Sequence, residues 1–250
     1  MLSIKFFIET GFSLSEGSGL LILILAESAL EPVPRGLWRH PAIKRHSKRH
    51  GKPPQFILLD RSYHHFAMKN LKESEKRGRP DIVHFALLEA LGSPLNKEGL
   101  LQVYVHTIND YVITVNPEAR LPRNYNRFIG LIEQLFESGR VPSTGQTLLR
   151  LERKTLPKLL REIKSDYVVA FSRKGSPKTL KETVSKLLHN KRPAVIIGGF
   201  PHGHFSETTS KLASEVICID PGMLETWTLT SRVIYEYERT IFLPKKRLKP

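Results

Sequence analysis

Two glycine-bearing turns stand where short apolar runs end. Gly198-Gly199-Phe200-Pro201-His202-Gly203 follows the run 194–197, and Cys218-Ile219-Asp220-Pro221-Gly222-Met223-Leu224 closes the run 215–219. Glycine at the carboxyl end of a strand lets the backbone turn sharply and come close to a ligand. Neither stretch is a phosphate loop, because no Lys-Ser or Lys-Thr follows, and neither has the G-x-G-x-x-G order of a dinucleotide site. One such turn is as often a plain connection as a binding element. Two of them at the ends of successive strands predict a shared crevice, the usual ligand position in an open α/β sheet.

Cations supply the second chemistry. Arg120-Leu121-Pro122-Arg123-Asn124-Tyr125-Asn126-Arg127 holds three arginines and a tyrosine, with no acid between Glu118 and Glu133. Pro122 suits the first turn of a helix, which would put Arg123 and Arg127 on one face with Arg120 just upstream. Guanidiniums at a helix amino terminus, with Tyr125 between them, suit phosphate oxygens and a stacked base. The plainer alternative is a solvated face. Arg79-Pro80-Asp81, followed by His84, allows an ion pair across a fixed backbone, or simply a helix start with an acid at its cap. His64, His65, His84, His106, His202 and His204 do not form a ligand set, and the single cysteine stands apart from them, so no metal is expected.

The formal charge of +15 is concentrated in two places. Arg35, Arg39, Lys44, Arg45, Lys48, Arg49 and Lys52 occur between Arg35 and Pro54 with no acid among them, and Lys245, Lys246, Arg247 and Lys249 crowd the carboxyl end. Elsewhere 28 basic residues face 24 acidic ones, a net of +4. Two such patches point to a polyanion, the alternative being two solvated tails. Neither carries an amphipathic apolar stripe, which argues against a membrane surface. No segment reaches the roughly 20 apolar residues of a membrane span, and Glu9 and Glu16 interrupt any secretory core near the start. One cysteine, Cys218, allows no intramolecular disulfide and favours a reducing, cytoplasmic address. Within Val216-Ile217-Cys218-Ile219 it reads as a core residue.

The elements that must position these groups follow from hydrophobic period. At 250 residues and 40% apolar content, one domain with extensions is expected. Residues 1–19 read as an extension of unknown role, 20–240 as the domain with a basic insert at 35–54, and 241–250 as a basic tail. Residues 20–26 and 56–59 read as strands, 62–76 and 81–91 as helices, and 101–107 with 111–115 as a hairpin about Asn109-Asp110. A helix is expected over 123–137. Strands at 166–171, 194–197 and 215–219 alternate with helices at 178–188, 206–213 and 225–237. That alternation predicts an α/β fold with a mainly parallel sheet flanked by helices.

Taken in order, these pieces resemble the ribosome-biogenesis pseudouridine N1-methyltransferase family, more its archaeal than its eukaryotic branch, over residues 20–239. The marks are Leu25-Ala26-Glu27-Ser28-Ala29-Leu30-Glu31, Arg79-Pro80-Asp81-Ile82-Val83-His84, Ser93-Pro94-Leu95-Asn96 and Leu101-Gln102-Val103-Tyr104-Val105-His106-Thr107. The segment 120–128 and the two glycine turns complete the set. The resemblance implies the SPOUT-type α/β knot, with a carboxyl-terminal trefoil knot that cradles S-adenosylmethionine, and a homodimer that binds small-subunit ribosomal RNA across both subunits. It assigns the cofactor to Phe171, Gly198, Gly203, Cys218, Ile219, Asp220, Pro221, Gly222 and Met223, and the RNA to Arg79, Arg120, Arg123 and Arg127. In the family the second turn usually reads Tyr-Pro-Leu-Ser, where this chain has Asp220-Pro221-Gly222-Met223.

The activity so implied is methylation of N1 of a pseudouridine in small-subunit ribosomal RNA, within ribosome biogenesis. Asp81 is the catalytic candidate, in an orienting role. A carboxylate committed to the Arg79 guanidinium is a weak proton acceptor, which leaves proton removal to water. The alternative is an RNA-binding ribosome assembly factor with weak or no methyl transfer. A SPOUT enzyme acting on ribose or guanine would leave Arg79-Pro80-Asp81 and the 120–127 arginines without a role.

Overall fold

A computed structural model describes residues 20–248 together with one short antiparallel pair ahead of them, Phe6–Phe7 with Ser13–Leu14. The remainder of the extension 1–19, and Lys249 of the basic tail, lie outside the described residues. Among the described residues the main sheet has eight strands. These are β1 (Leu21–Ser28), β2 (Leu101–Thr107), β3 (Tyr111–Val115), β4 (Arg140–Val141), β5 (Leu149–Arg153), β6 (Tyr167–Pro177), β7 (Pro193–Gly198) and β8 (Glu215–Cys218). Their order is β8-β6-β7-β1-β2-β3-β5-β4, parallel from β8 through β2 and antiparallel beyond it.

Among the described residues ten α-helices accompany the sheet: α1 (Pro41–His50), α2 (Arg61–His64), α3 (Pro80–Gly92), α4 (Pro94–Lys97), α5 (Tyr125–Ser138), α6 (Leu156–Glu162), α7 (Leu180–Leu187), α8 (Glu207–Leu212), α9 (Thr226–Thr240) and α10 (Leu243–Arg247). β1 is buried along its whole length, as its unbroken apolar run requires. Leu21, Leu23 and Leu25 face the cluster that α3, α5, α7 and α9 cover, while Ile22, Ile24 and Ala26 face α6 and the approach to α8. A third cluster (Val33, Ile43, Ile57, Leu59, Ala67, Met68) seats α1 beside α2.

The path through β6, β7 and β8 positions the site. The chain leaves β6, forms β7 on one side of it, then passes to its other side to form β8. β8 pairs first with Val169 and Ala170, then shifts register to Ser176 and Pro177, so β6 bulges between the two sets. A Cβ on Gly175 would stand 2.5 Å from the Ile217 amide nitrogen, so the bulge closes over β8 only with glycine there. The chain then returns as α9 along α3 and α7. This is the α/β class expected, a mainly parallel sheet flanked by helices, with a carboxyl-terminal path that doubles back across β6.

Several sequence expectations are corrected. Residues 56–59 do not form a strand: Leu58 makes a single bridge to Pro32, and the Leu58 amide donates to the Glu133 carboxylate instead of a neighbouring strand. The helix expected over 62–76 is only α2, capped by Asp60, followed by turns. Further along, the left-handed backbone of Glu73 (φ 52°) turns the chain ahead of Lys76 and Arg77, whose side chains reach Glu27 and Glu31. The basic insert contains a helix, α1, and two further strands, β4 and β5, lie beyond the hairpin.

Candidate active site

The carboxyl ends of β6, β7 and β8 open into a cavity of about 270 Å³. Apolar side chains line it, among them Phe171, Ile197, Phe200, Leu224 and Leu229, together with Gly198, Gly203 and Gly222; Arg173, Asp220 and Glu225 bring charge to it. Of the nine positions that the resemblance assigned to a cofactor, eight line this cavity and Pro221 does not. Cys218 is half-buried at the cavity instead of in the core, because β8 ends there.

Close approach of backbones builds the first turn. A Cβ on Gly199 would stand 2.1 Å from Ser28 Oγ, so β7 can meet the end of β1 only with glycine. The Gly199 amide donates to the Ala26 carbonyl (2.9 Å), and its own carbonyl accepts from the Ala29 amide (2.8 Å). The Thr226 hydroxyl, at the start of α9, donates to the Gly198 carbonyl (2.7 Å). The rest of the turn is pinned by Glu27, whose carboxylate accepts from the Ser206 amide (2.8 Å) and from Lys76 Nζ (3.0 Å). Lys76 is buried and its ammonium lies 5.0 Å from the centre of the Phe200 ring. Burial pushes the Glu27 carboxyl up, but hydrogen bonds from Ser206, Thr209 and Lys76 outweigh it and hold the group below its ordinary value.

The second turn closes on itself. The Gly222 amide donates to Asp220 Oδ1 (2.8 Å), and Cys218 Sγ lies 3.2 Å from the Asp220 carbonyl. Asp220 thus makes an Asx turn that Gly222 completes.

Beside the cavity is an open recess lined by Arg61, Ser62, Arg79, Asp81 and Tyr125. Arg79 precedes α3, where Pro80 takes the first position and Asp81 the first turn, favourable to the helix dipole. Arg79 Nε and its terminal nitrogen donate to the two Asp81 oxygens (2.8 and 2.7 Å), a fork that fixes the guanidinium plane. That bond raises the Arg79 pKa, and Glu225 on the cavity rim adds to the field. The Tyr125 hydroxyl donates to Asp60 (2.6 Å), and burial together with this bond keeps it protonated.

The phase of the arginine segment differs from expectation. α5 starts at Tyr125 with the Asn124 side chain accepting from the Arg127 amide (3.1 Å). Arg123 therefore precedes the cap and does not share a helical face with Arg127. The reason is local: asparagine is among the strongest caps, and the Pro122 carbonyl is taken by His84 Nε2 (2.7 Å). His84 is buried and stacked on Phe128, with ring centroids 4.2 Å apart. It ties the 121–123 segment to α3, and burial holds its pKa down. Arg120, Arg123 and Arg127 are exposed and make no ion pair among the described residues. Arg61, Glu27 and Lys76 were missed in sequence, where only the acid in Leu25-Ala26-Glu27-Ser28, inside an otherwise apolar strand, marks the last pair.

No described helix is long and apolar enough to cross a membrane, and no group of three or more His, Cys, Asp or Glu side chains is placed to hold a metal among the described residues. Comparison with known proteins adds the family. The model of the EMG1/NEP1 methyltransferase family matches residues 23–238. The ribosomal RNA small subunit methyltransferase Nep1 of Pyrococcus furiosus is 51% identical over 218 residues, covering 87% of this chain and 96% of that protein. Its counterpart in Thermococcus onnurineus is 46% identical over 222 residues, 89% of this chain and 100% of that protein. The crystal structure of Archaeoglobus fulgidus Nep1 bound to S-adenosylhomocysteine matches with a TM-score of 0.79 at 40% identity, over 90% of this chain and 100% of that one. Matched by the family model from residue 23 to residue 238, and by these relatives over nearly their whole length, the chain belongs to the EMG1/NEP1 methyltransferase family.

Proposed function

We propose that this chain methylates N1 of a pseudouridine in small-subunit ribosomal RNA, using S-adenosylmethionine, as part of small-subunit biogenesis. The observation that carries the reading is the adjacency of a glycine-walled apolar cavity to a recess where a guanidinium is locked by a carboxylate. The relatives' name, ribosomal RNA small subunit methyltransferase, and the S-adenosylhomocysteine in the Archaeoglobus protein support it. The cavity suits the cofactor. Its side-chain-free stretches at Gly198, Gly203 and Gly222 admit a ligand against the backbone, and its apolar walls suit an adenine. Arg173 and Asp220 offer opposite charges to a zwitterionic amino-acid end.

When bound, S-adenosylmethionine supplies a sulfonium methyl that N1 takes by in-line displacement, leaving S-adenosylhomocysteine. Arg79, oriented by Asp81, positions the base and offsets negative charge growing on its ring. Arg120, Arg123 and Arg127 hold phosphates, and the N1 proton leaves to water. The working unit is a homodimer, joined through the exposed Phe85 of α3 and Tyr235 of α9, in a cytoplasmic setting.

The test is methyl transfer to two ribosomal hairpins, identical except for pseudouridine or uridine at the target. Uridine has no N1 proton to lose, since its N1 is bonded to ribose. Transfer to the pseudouridine hairpin alone is expected, and Asp81→Asn should lower its rate about 10- to 100-fold with S-adenosylhomocysteine binding intact. Transfer to both hairpins overturns the N1 assignment. Binding of both without transfer supports the assembly-factor reading instead.

A further inference from the structure

We propose that α1 is a second phosphate-binding surface, which grips the stem of the target hairpin while the recess at Arg79 takes its loop. The inference rests on the reading that the substrate is ribosomal RNA, and adds to it the part of the RNA held outside the target loop.

Four cations of α1 share one face. Lys44, Arg45, Lys48 and Arg49 are all exposed, at positions one and four residues apart, and none forms an ion pair among the described residues. Lys44 with Lys48, and Arg45 with Arg49, are like-charge pairs at the spacing where side chains meet, so each pair opposes the helix. Only the last turn, with Lys48, Arg49 and His50, gains from the helix dipole. Arg35 and Arg39, also exposed, extend the positive surface upstream. A face under this repulsion gains from a polyanion more than from solvent. The tail patch is different: Arg247 is paired with Glu98, and Lys245 lies over the Phe242 ring.

The helix is held rigidly. Ile43 is fully buried in the cluster with Val33, Ile57 and Met68. His46 Nδ1 lies 2.7 Å from His64 Nε2, the Ser47 hydroxyl donates to the Lys52 carbonyl (2.6 Å), and Lys52 pairs with Glu133 of α5 (2.5 Å). His40 caps one end through the Ala42 amide, and Gly51 in the left-handed conformation closes the other. A docked helix presents its charges without a backbone ordering cost on binding, leaving only the side-chain rotamers to be fixed.

Its place is next to the recess. The rings of His46 and Tyr63 are 4.6 Å apart, and Tyr63 belongs to α2, whose Arg61 and Ser62 line the recess with Arg79 and Tyr125. Glu133, the partner of Lys52, is on the same helix as Arg127. At ten residues α1 is about 15 Å long, enough to follow several backbone phosphates. The face carries only lysines and arginines, and the deep, narrow major groove of an RNA stem keeps such side chains from the base edges, so their partner there is the sugar-phosphate backbone. A stem offers that backbone in regular form.

The experiment compares the full chain with the variant Lys44→Gln/Arg45→Gln/Lys48→Gln/Arg49→Gln. Binding is measured to two hairpins with the same loop, one with a short stem and one with a long stem, over a range of salt. S-adenosylhomocysteine binding and thermal unfolding check that the variant is folded. The wild type should favour the long stem at least about tenfold, and the variant should bind both hairpins alike. For the long hairpin, the slope of log K against log salt should flatten by about 3 to 4 in the variant. A variant that keeps the long-stem advantage overturns the proposal, as does a wild type with none. Equal loss on both hairpins would assign α1 to the loop, not the stem. A wild type that binds neither hairpin would overturn the substrate reading itself.

Discussion

At the residue scale, Glu27 does the least expected work. It stands one residue before the end of β1 with φ 51°, in the left-handed region uncommon for residues other than glycine or asparagine. There its carboxylate meets Ser206 and Lys76, from segments far away in sequence, and holds the glycine turn that lines the cavity. Removing its charge leaves Lys76 buried with the more distant Glu73 (3.6 Å) as its one anionic partner among the described residues. Breaking a buried pair in this way costs about 3–5 kcal/mol. Glu27→Gln should therefore lower unfolding stability by that order and weaken S-adenosylhomocysteine binding, both measurable in one denaturation and calorimetry series. The pH dependence has a definite sign. The folded carboxyl sits below the ordinary value of 4.5, so its contribution is complete at neutral pH and is lost as pH falls below that value. A variant as stable as the wild type at neutral pH, with equal ligand affinity, would remove Glu27 from this role.

At the scale of elements, the contact between α1 and α2 is a neutral histidine pair. The Asp60 amide donates to His64 Nδ1 (3.0 Å), so that nitrogen carries no proton and Nε2 donates to His46 Nδ1. A second proton on His64 would have to face the Asp60 N–H. Burial accordingly pushes the His64 pKa down to about 4 and lowers that of His46. For a base held down on folding, stability is complete above the ordinary value of 6.5 and falls as pH drops toward the folded value, because only the unfolded chain takes the proton. The loss should reach the order of 3 kcal/mol between neutral pH and pH 4. Urea unfolding across that range reads it, and His64→Gln should flatten that part of the profile; an unchanged slope in the variant would assign the loss to other groups. α1 itself was legible and went unread. Proline after His40 and glycine at position 51 are ordinary start and stop signals, inside a stretch read in sequence only as a basic insert. Strand β5 alternates apolar and polar residues over Leu149-Arg150-Leu151-Glu152, as a half-exposed strand should, yet lies outside the regular βα rhythm that made β6, β7 and β8 readable.

At the scale of the whole molecule, period and composition carried the parallel sheet, because β1 and β7 are apolar on both faces and so are buried on both. The crossing of β8 over β6 was not legible that way. It depends on which side of β6 the chain passes, which no residue pattern states, and it entered only through the family resemblance. Contacts that close the site were hidden for the same reason: Glu27 with Ser206, or Thr226 with Gly198, join segments whose spacing has no period. What the fold leaves exposed bears on assembly. Phe85 on α3 packs edge-on against Trp227 of α9, with ring centroids 5.2 Å apart, yet remains 45% exposed, and Tyr235 is 61% exposed. Trp227, Ser231 and Tyr235 recur every four residues along α9, and Trp227 meets Phe85 of α3. Two adjacent helices with aromatic residues left partly bare suit an isologous interface between copies of the chain. Sedimentation of the wild type at micromolar concentration should give a dimer, and Phe85→Asp/Tyr235→Asp a monomer that still folds, because both side chains already meet solvent. If the recess of one subunit serves RNA held across both, the monomer should lose more than about tenfold in hairpin affinity. A monomeric wild type, or a double variant that still dimerises, would place the interface elsewhere or remove it.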